Sequence, residues 1–152
     1  MSFKRNTIEE KDIRKKLLDF LSRREYSFKE LIFKLKDRVN SSQKLFQELE
    51  KLKEEGLQSD ERFTESFIRS RSIKGFGPEK ISNELRSKGV EENLIKKMVY
   101  SQELDWRMIL KKEFDKKYSQ SKIYNLEDIS KIKRFFFQRG FLHDEINELF
   151  EK

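Results

Sequence analysis

DERFTESFIRSRSIKGFGPEKISNELRSKG, residues 60–89, holds three of the chain's five glycines and its only proline. In its first half Phe63 and Phe67 fall four apart on one helical face, Arg62, Glu65 and Arg69 fall on another, and Asp60 stands where a cap is expected. A helix over 60–73 follows. Gly75 and Gly77 then supply backbone freedom for a tight corner, and Pro78 suits the first turn of a second helix, where its missing N–H costs nothing. Helix, glycine corner, helix is the pattern, and it points to an all-α chain.

The same signals continue outward on both sides. Before residue 60, Thr7 with Glu10 is expected to form a capping box, followed by an apolar stripe of Ile13, Leu17, Leu18 and Leu21 ending near Ser22. Ser27 with Glu30 opens a short helix bearing Leu31, Ile32 and Leu35. Asn40 or Ser41 caps a third, with Leu45, Phe46, Leu49 and Leu52 inward and Gly56 at its end. After the corner, helices are expected over 78–87, 91–101, 103–118, 126–138 and 143–151, with SQSKIYN, 119–125, as the only loop of any length. The expected helices group in threes, as units 1–56, 57–102 and 103–152.

A repeat supports this grouping. Tyr26-Ser27, Phe76-Gly77 and Tyr124-Asn125 each place an aromatic before a capping residue, with Leu31, Ile81 and Ile129 at the fourth helical position. That spacing is a hydrophobic staple, which fixes how the chain enters the middle helix of each unit. The helix ends match in a longer register, Ile81, Leu85 and Gly89-Val90 with Ile132, Phe136 and Gly140-Phe141, so the third middle helix should be about one turn longer. In the first unit Leu35 runs to Val39 without a glycine, and that helix must end by another route, with Asn40 as the candidate. Units this small bury too little surface to be very stable alone, so they are expected to stack into an elongated, curved rod. Such a rod offers a long interaction face and no deep pocket.

Composition narrows the function. The 152 residues are 35% hydrophobic and 41% charged, and fourteen phenylalanines supply much of the apolar area needed to fold. Net charge is +7 and the pI is near 9.5, which suits a polyanion or an acidic protein groove. Without cysteine, and with His143 as the lone histidine, neither a disulfide framework nor a Cys/His metal site can be built. The N-terminus lacks the apolar core of a secretory signal and no apolar run approaches the ~18 residues of a membrane span, so a cytoplasmic protein is expected.

No set of residues converges on catalysis. The carboxylate pairs Asp60-Glu61, Glu91-Glu92 and Asp144-Glu145 each occupy a first helical turn, where they complement the helix dipole, and Glu65 is spaced to pair with Arg69. His143 is placed in a first turn as a capping or surface residue, and Gly75-Phe76-Gly77 lacks the lysine, serine and preceding strand of a phosphate loop. Trp106 opens a stripe continued by Leu110 and Phe114 and is read as core. One ring of Phe135-Phe136-Phe137 should be exposed, because consecutive residues cannot share a face. Arg62, Arg69, Arg71, Lys74, Lys80, Arg86 and Lys88 gather around the glycine corner, where carboxylates or phosphates of a partner could meet several at once. Glu61, Glu65, Glu79 and Glu84 could instead lace the same surface with ion pairs. Lys96-Lys97, Lys111-Lys112 and Lys116-Lys117 form secondary basic faces.

The ordered set Asp60, Glu61, Arg62, Phe63, Arg69, Arg71, Lys74-Gly75-Phe76-Gly77-Pro78, Ile81, Leu85 and Lys88-Gly89 resembles the signature of the RecX family of bacterial recombination regulators. The resemblance covers nearly the whole chain, recurs at Arg139-Gly140-Phe141 with Ile146, and is weakest before residue 56. Asp60, Phe63, Phe67, Gly75, Gly77, Pro78, Ile81, Leu85, Gly89, Gly140 and Phe141 form its structural part. The family usually places a small capping residue where this chain has Leu142. The resemblance implies a small, all-helical, non-enzymatic monomer without cofactor, acting in recombination, DNA repair and the SOS response. It would lie in the groove of a RecA–DNA filament and inhibit strand exchange, ATP turnover and filament growth, with the seven basic residues above meeting RecA or the DNA backbone. Single- or double-stranded DNA could also be bound non-specifically. The alternative is a DNA reader built from helix-turn-helix-like units, with Ser42, Gln43, Lys44 and Gln47 facing base edges. Against it, the corresponding helices near Glu91-Glu92 and Asp144-Glu145 would repel phosphate.

Overall fold

A computed structural model describes residues 7–118 and 124–151. Among them the chain is all-α: α1 Glu10–Arg23, α2 Phe28–Leu35, α3 Ser42–Glu54, α4 Asp60–Ile73, α5 Pro78–Ser87, α6 Glu92–Val99, α7 Trp106–Lys117, α8 Leu126–Gln138 and α9 His143–Glu148. Most of the expected loop 119–125 falls on 119–123, outside the described residues. The chain divides into two compact units, 1–66 with 87–91 and 67–86 with 92–152, so the border falls inside α4.

In the first unit α1 and α2 pack on α3 around Ile13, Leu17, Leu31, Leu35, Leu45, Leu49 and Leu52, all fully buried. Leu18 and Leu21, expected in the same stripe as Ile13 and Leu17, lie to its sides and are only partly buried against this core. Ser27 makes the expected capping box: its hydroxyl accepts from Glu30 N–H at 3.1 Å, and its own N–H donates to the Glu30 carboxylate at 3.0 Å. Ser41, rather than Asn40, caps α3 by accepting from Lys44 N–H at 3.1 Å.

Three expectations fail here for physical reasons. No Thr7–Glu10 box forms, because the chain before α1 is extended: Ile8 N–H donates to the Arg38 carbonyl at 2.7 Å, Ile8 bridges to Val39, and Glu9 becomes the cap position. The same bridge ends α2 early. Val39 is held extended against Ile8, so the helix stops at Leu35 and Asn40 does not terminate it. Phe46 is half exposed, since one residue past Leu45 lies about 100° around the helix, and its ring meets Phe28 edge to face at 5.5 Å.

The second unit buries Ile81, Leu85, Ile95, Val99, Trp106, Leu110, Phe114, Ile132, Phe136, Phe141 and Ile146. α9 packs on α7 and α8, and Phe114 meets Phe136 at 6.3 Å. Trp106 is core as expected, its indole N–H donating to the Val99 carbonyl at 2.8 Å. α7 begins at Trp106 rather than 103 because Asp105 caps it, accepting from Met108 N–H at 3.1 Å. α8 has 13 residues against 10 in α5, the extra turn that the longer register requires. Of the three consecutive phenylalanines, Phe136 is buried and Phe137 half exposed. Leu142 precedes α9 without a side-chain cap, and the helix is only six residues long.

Candidate functional site

Backbone hydrogen bonds close the glycine corner. Gly75 has φ +91°, and Phe76 N–H donates back to the Arg71 carbonyl at 3.1 Å, closing α4 with a left-handed residue as glycine allows. Gly77 has an ordinary φ and is required for space instead. A Cβ there would lie 2.6 Å from the carbonyl carbon of Gly140, whose own φ is +101°. Gly77 N–H donates to the Arg139 carbonyl at 2.8 Å and Glu79 N–H to the Gly140 carbonyl at 2.9 Å. The start of α5 and the end of α8 thereby satisfy groups that each helix leaves unpaired, with their dipoles aligned favourably.

This lock gathers cations over two rings. Around Phe76 stand the guanidinium of Arg71 at 3.9 Å from the ring centroid, that of Arg139 at 4.7 Å and the ammonium of Lys80 at 5.6 Å. Phe135 carries Lys117 at 3.5 Å and Arg139 at 5.0 Å. Arg71 is steadied by Glu84 at 2.9 Å, and Arg139 donates to the Lys74 carbonyl at 3.4 Å. Among the described residues Lys74, Lys80, Lys117 and Arg139 have no carboxylate within ion-pair distance. The arrangement presents several N–H donors and positive charge to solvent, which is chemistry for carboxylates or phosphates.

The other basic residues read from the sequence are used differently. Arg62 belongs to the first unit, where it bonds the Glu25 carboxylate at 3.0 Å and the Gly56 carbonyl at 2.7 Å. Lys88, also there, reaches Glu30 at 3.2 Å, while its carbonyl accepts from the Ser27 hydroxyl at 2.8 Å. Burial would raise the Glu30 carboxyl, but the Ser27 N–H, Arg24 and Lys88 outweigh it and hold it below the usual range. Arg86 makes a two-pronged pair with Glu92 at 2.7 and 2.8 Å, which raises its already high pKa. Arg69 is exposed on α4. So Arg71, Lys74 and Lys80 join the corner, and Arg139 and Lys117 complete it. The resemblance named Arg139 only as part of a recurring motif, and Lys117 stood in a secondary basic face; no helical spacing links either to Phe76.

Asp60 does not cap α4. Ser59 does, its hydroxyl accepting from Arg62 N–H at 3.1 Å. The Asp60 carboxylate, one residue inside the helix, accepts from Phe28 N–H at 2.9 Å and the Gln58 amide at 3.0 Å, so it serves the start of α2 as well. Phe63 is buried, Phe67 half-buried, and Gly89 ends α5 with φ +80°.

On α3, Ser42, Gln43 and Gln47 are exposed, whereas Lys44 is paired with Glu48 at 3.2 Å. His143 is exposed, its ring stacked on Phe137 at 4.1 Å. Among the described residues no His, Cys, Asp and Glu group could hold a metal ion, and no helix is long and apolar enough to cross a membrane.

The family model for the second three-helix domain of RecX matches residues 59–98, a span that starts just before α4 and ends within α6. Regulatory protein RecX of Legionella pneumophila (strain Corby) is 36% identical over 135 residues, 89% of this chain and 90% of that protein. Regulatory protein RecX of Actinobacillus pleuropneumoniae serotype 5b (strain L20) is 35% identical over 135 residues, 89% of this chain and 88% of that one. The crystal structure of RecX from Lactobacillus salivarius superposes with a TM-score of 0.73, covering 92% of this chain and 93% of that chain at 23% identity, a likeness of fold.

Proposed function

The chain belongs to the RecX family of regulatory proteins, and from that premise we propose that it binds a RecA–DNA filament and inhibits the recombinase. The observation that carries the surface assignment is the corner itself, where Arg71, Lys80, Arg139 and Lys117 crowd two phenylalanine rings. Cations held on rings lose less rotamer freedom on meeting an anion than free lysines do. The mechanism is steric. A protein lying in the filament groove occupies the space that incoming duplex DNA needs, and it slows strand exchange, ATP turnover and filament growth. No bond of a substrate is broken by this chain; it acts as a cytoplasmic binding protein and works as a monomer.

RecA ATP hydrolysis and strand exchange on single-stranded DNA, with this protein titrated at fixed salt, test the reading. Inhibition far below one copy per recombinase assigns action to filament ends, and inhibition only near saturation assigns it to the groove. Lys74→Glu, Lys80→Glu and Lys117→Glu together are expected to raise the inhibitory concentration ~10-fold or more while helicity stays constant. Unchanged inhibition removes this corner from the interface. No inhibition, together with tight binding to one duplex sequence, replaces the proposal with a helix-turn-helix reader, for which exposed Ser42, Gln43 and Gln47 are the residues to mutate.

A further inference from the structure

The α5–α8 corner gathers more positive charge than its own fold pairs. Arg139 lies over both rings, 4.7 Å from the Phe76 centroid and 5.0 Å from that of Phe135. It thereby joins Arg71 and Lys80, on Phe76, to Lys117, on Phe135, in one field drawn from α4, α5, α7 and the end of α8. Like charges so placed repel one another. Carboxylates beside them are engaged elsewhere: Glu113, whose Oε2 lies against Gly75, holds Lys116 at 3.4 Å, and Glu79 accepts from the Tyr100 hydroxyl at 2.5 Å. Glu84 is the exception, and it meets one Nη of Arg71 at 2.9 Å. The Nε of that guanidinium is buried with no hydrogen-bond partner among the described residues. A guanidinium left short of acceptors carries a cost that an incoming anion removes.

We propose that this corner is a binding site for a small polyphosphate, a short chain of linked phosphoryl groups either free or carried by a nucleoside. The proposal rests on the reading of the corner as an anion-binding surface, and it concerns the protein alone, without DNA or recombinase. Two guanidinium groups flanked by two ammoniums supply what such a chain needs: N–H forks for adjacent oxygens and point charges for a terminal group. Charge density distinguishes this ligand from a nucleic-acid backbone. A polyphosphate concentrates its negative charges on contiguous groups, so one small molecule can meet all four cations, whereas each strand of a duplex carries one charge per ~3.4 Å of axis. Cations already stand over both rings, 3.9 Å from the Phe76 centroid and 3.5 Å from that of Phe135, so the site reads the phosphate chain and not a stacked base.

Titration calorimetry of the full chain with inorganic tripolyphosphate, pyrophosphate and orthophosphate, at fixed salt, tests it. Tripolyphosphate should bind ~10-fold or more tightly than orthophosphate, because linked groups reach cations that one group cannot span. Lys80→Gln with Lys117→Gln is expected to weaken tripolyphosphate binding ~10-fold. Lys96→Gln with Lys97→Gln, which removes the same charge from α6, should change it less than about twofold. ATP bound as tightly as tripolyphosphate makes nucleotides ligands of the site, and much weaker ATP binding assigns it to the inorganic chain. If the Lys80 change lowers stability, Lys117→Gln alone, at an exposed position, carries the test with a loss of about threefold. Orthophosphate bound as tightly as tripolyphosphate, or equal losses in the corner and α6 variants, overturns the proposal. Because the titration contains no filament, absence of tripolyphosphate binding beside intact inhibition of the recombinase overturns this inference and leaves the filament reading in place.

Discussion

Gly56 and Gly77 would each gain one methyl group as alanine, and the consequences differ. Gly56 ends α3 at φ +77° with open space around it, so Gly56→Ala should cost only the left-handed backbone penalty, about 1–2 kcal/mol. Gly77 has a permitted φ, but its Cβ would meet the Gly140 carbonyl carbon at 2.6 Å. To make room, α5 must withdraw from the end of α8 and stretch backbone bonds of 2.8 and 2.9 Å, so Gly77→Ala should cost more, about 3 kcal/mol. Urea unfolding of the two variants checks the ranking. A larger loss for Gly56→Ala would mean that φ, not the close approach, sets the requirement. The sequence marks both positions as special, but it cannot tell a left-handed turn from a close approach, because Gly140 lies more than sixty residues away.

At the level of elements, the hydroxyl of Ser27 is used twice. It caps α2 and donates to the Lys88 carbonyl, so α2 and the end of α5 share one buried atom group within the first unit. Ser27→Ala is expected to lose about 2 kcal/mol, at the upper end for a cap, measured by denaturant unfolding. Ser41→Ala, which removes an ordinary cap from α3, should lose about 1 kcal/mol. Equal losses would show that the bond to Lys88 contributes nothing. Caps such as Ser27 and Asn125 are legible in sequence because the donor lies three residues away. Thr7 misleads for the converse reason: Ile8 bridges to Val39, and no local spacing reports that pairing.

Across the whole molecule, two carboxylates respond oppositely to acid. Glu30 is held below the usual range of about 4.5 by Ser27, Arg24 and Lys88 despite its burial, so its contribution is complete above that range and is lost as pH falls toward its lowered value. Glu145, in α9, is raised by burial, with Glu148 and Asp105 adding to the shift and Arg107 opposing it, and its Oε2 is buried with no hydrogen-bond partner among the described residues. Its charge therefore opposes folding at neutral pH, and the cost is relieved as pH falls through its raised value toward about 4.5. Hydrogen exchange should show α9 gaining protection on mild acidification, with α2 losing it only at lower pH. Glu145→Gln should raise the neutral-pH Tm and abolish the α9 gain; an α9 gain that persists in this variant assigns the effect to another group.

By itself the sequence determined the all-α class, the helix over 60–73, the proline-led α5 and the family, because these depend on spacings of three, four or a few residues and on one ordered motif. The division into repeat units 1–56, 57–102 and 103–152 rests on sequence periodicity, whereas the compact units of the fold follow packing, and we retain the three repeats as a proposal. Tertiary structure alone decided which cations share a surface. Arg139 and Lys117 come to Arg71 and Lys80 through the locked ends of α5 and α8. Charge carries no periodic signal of the kind that burial imposes on apolar residues, so its partners are set by where distant backbone segments meet.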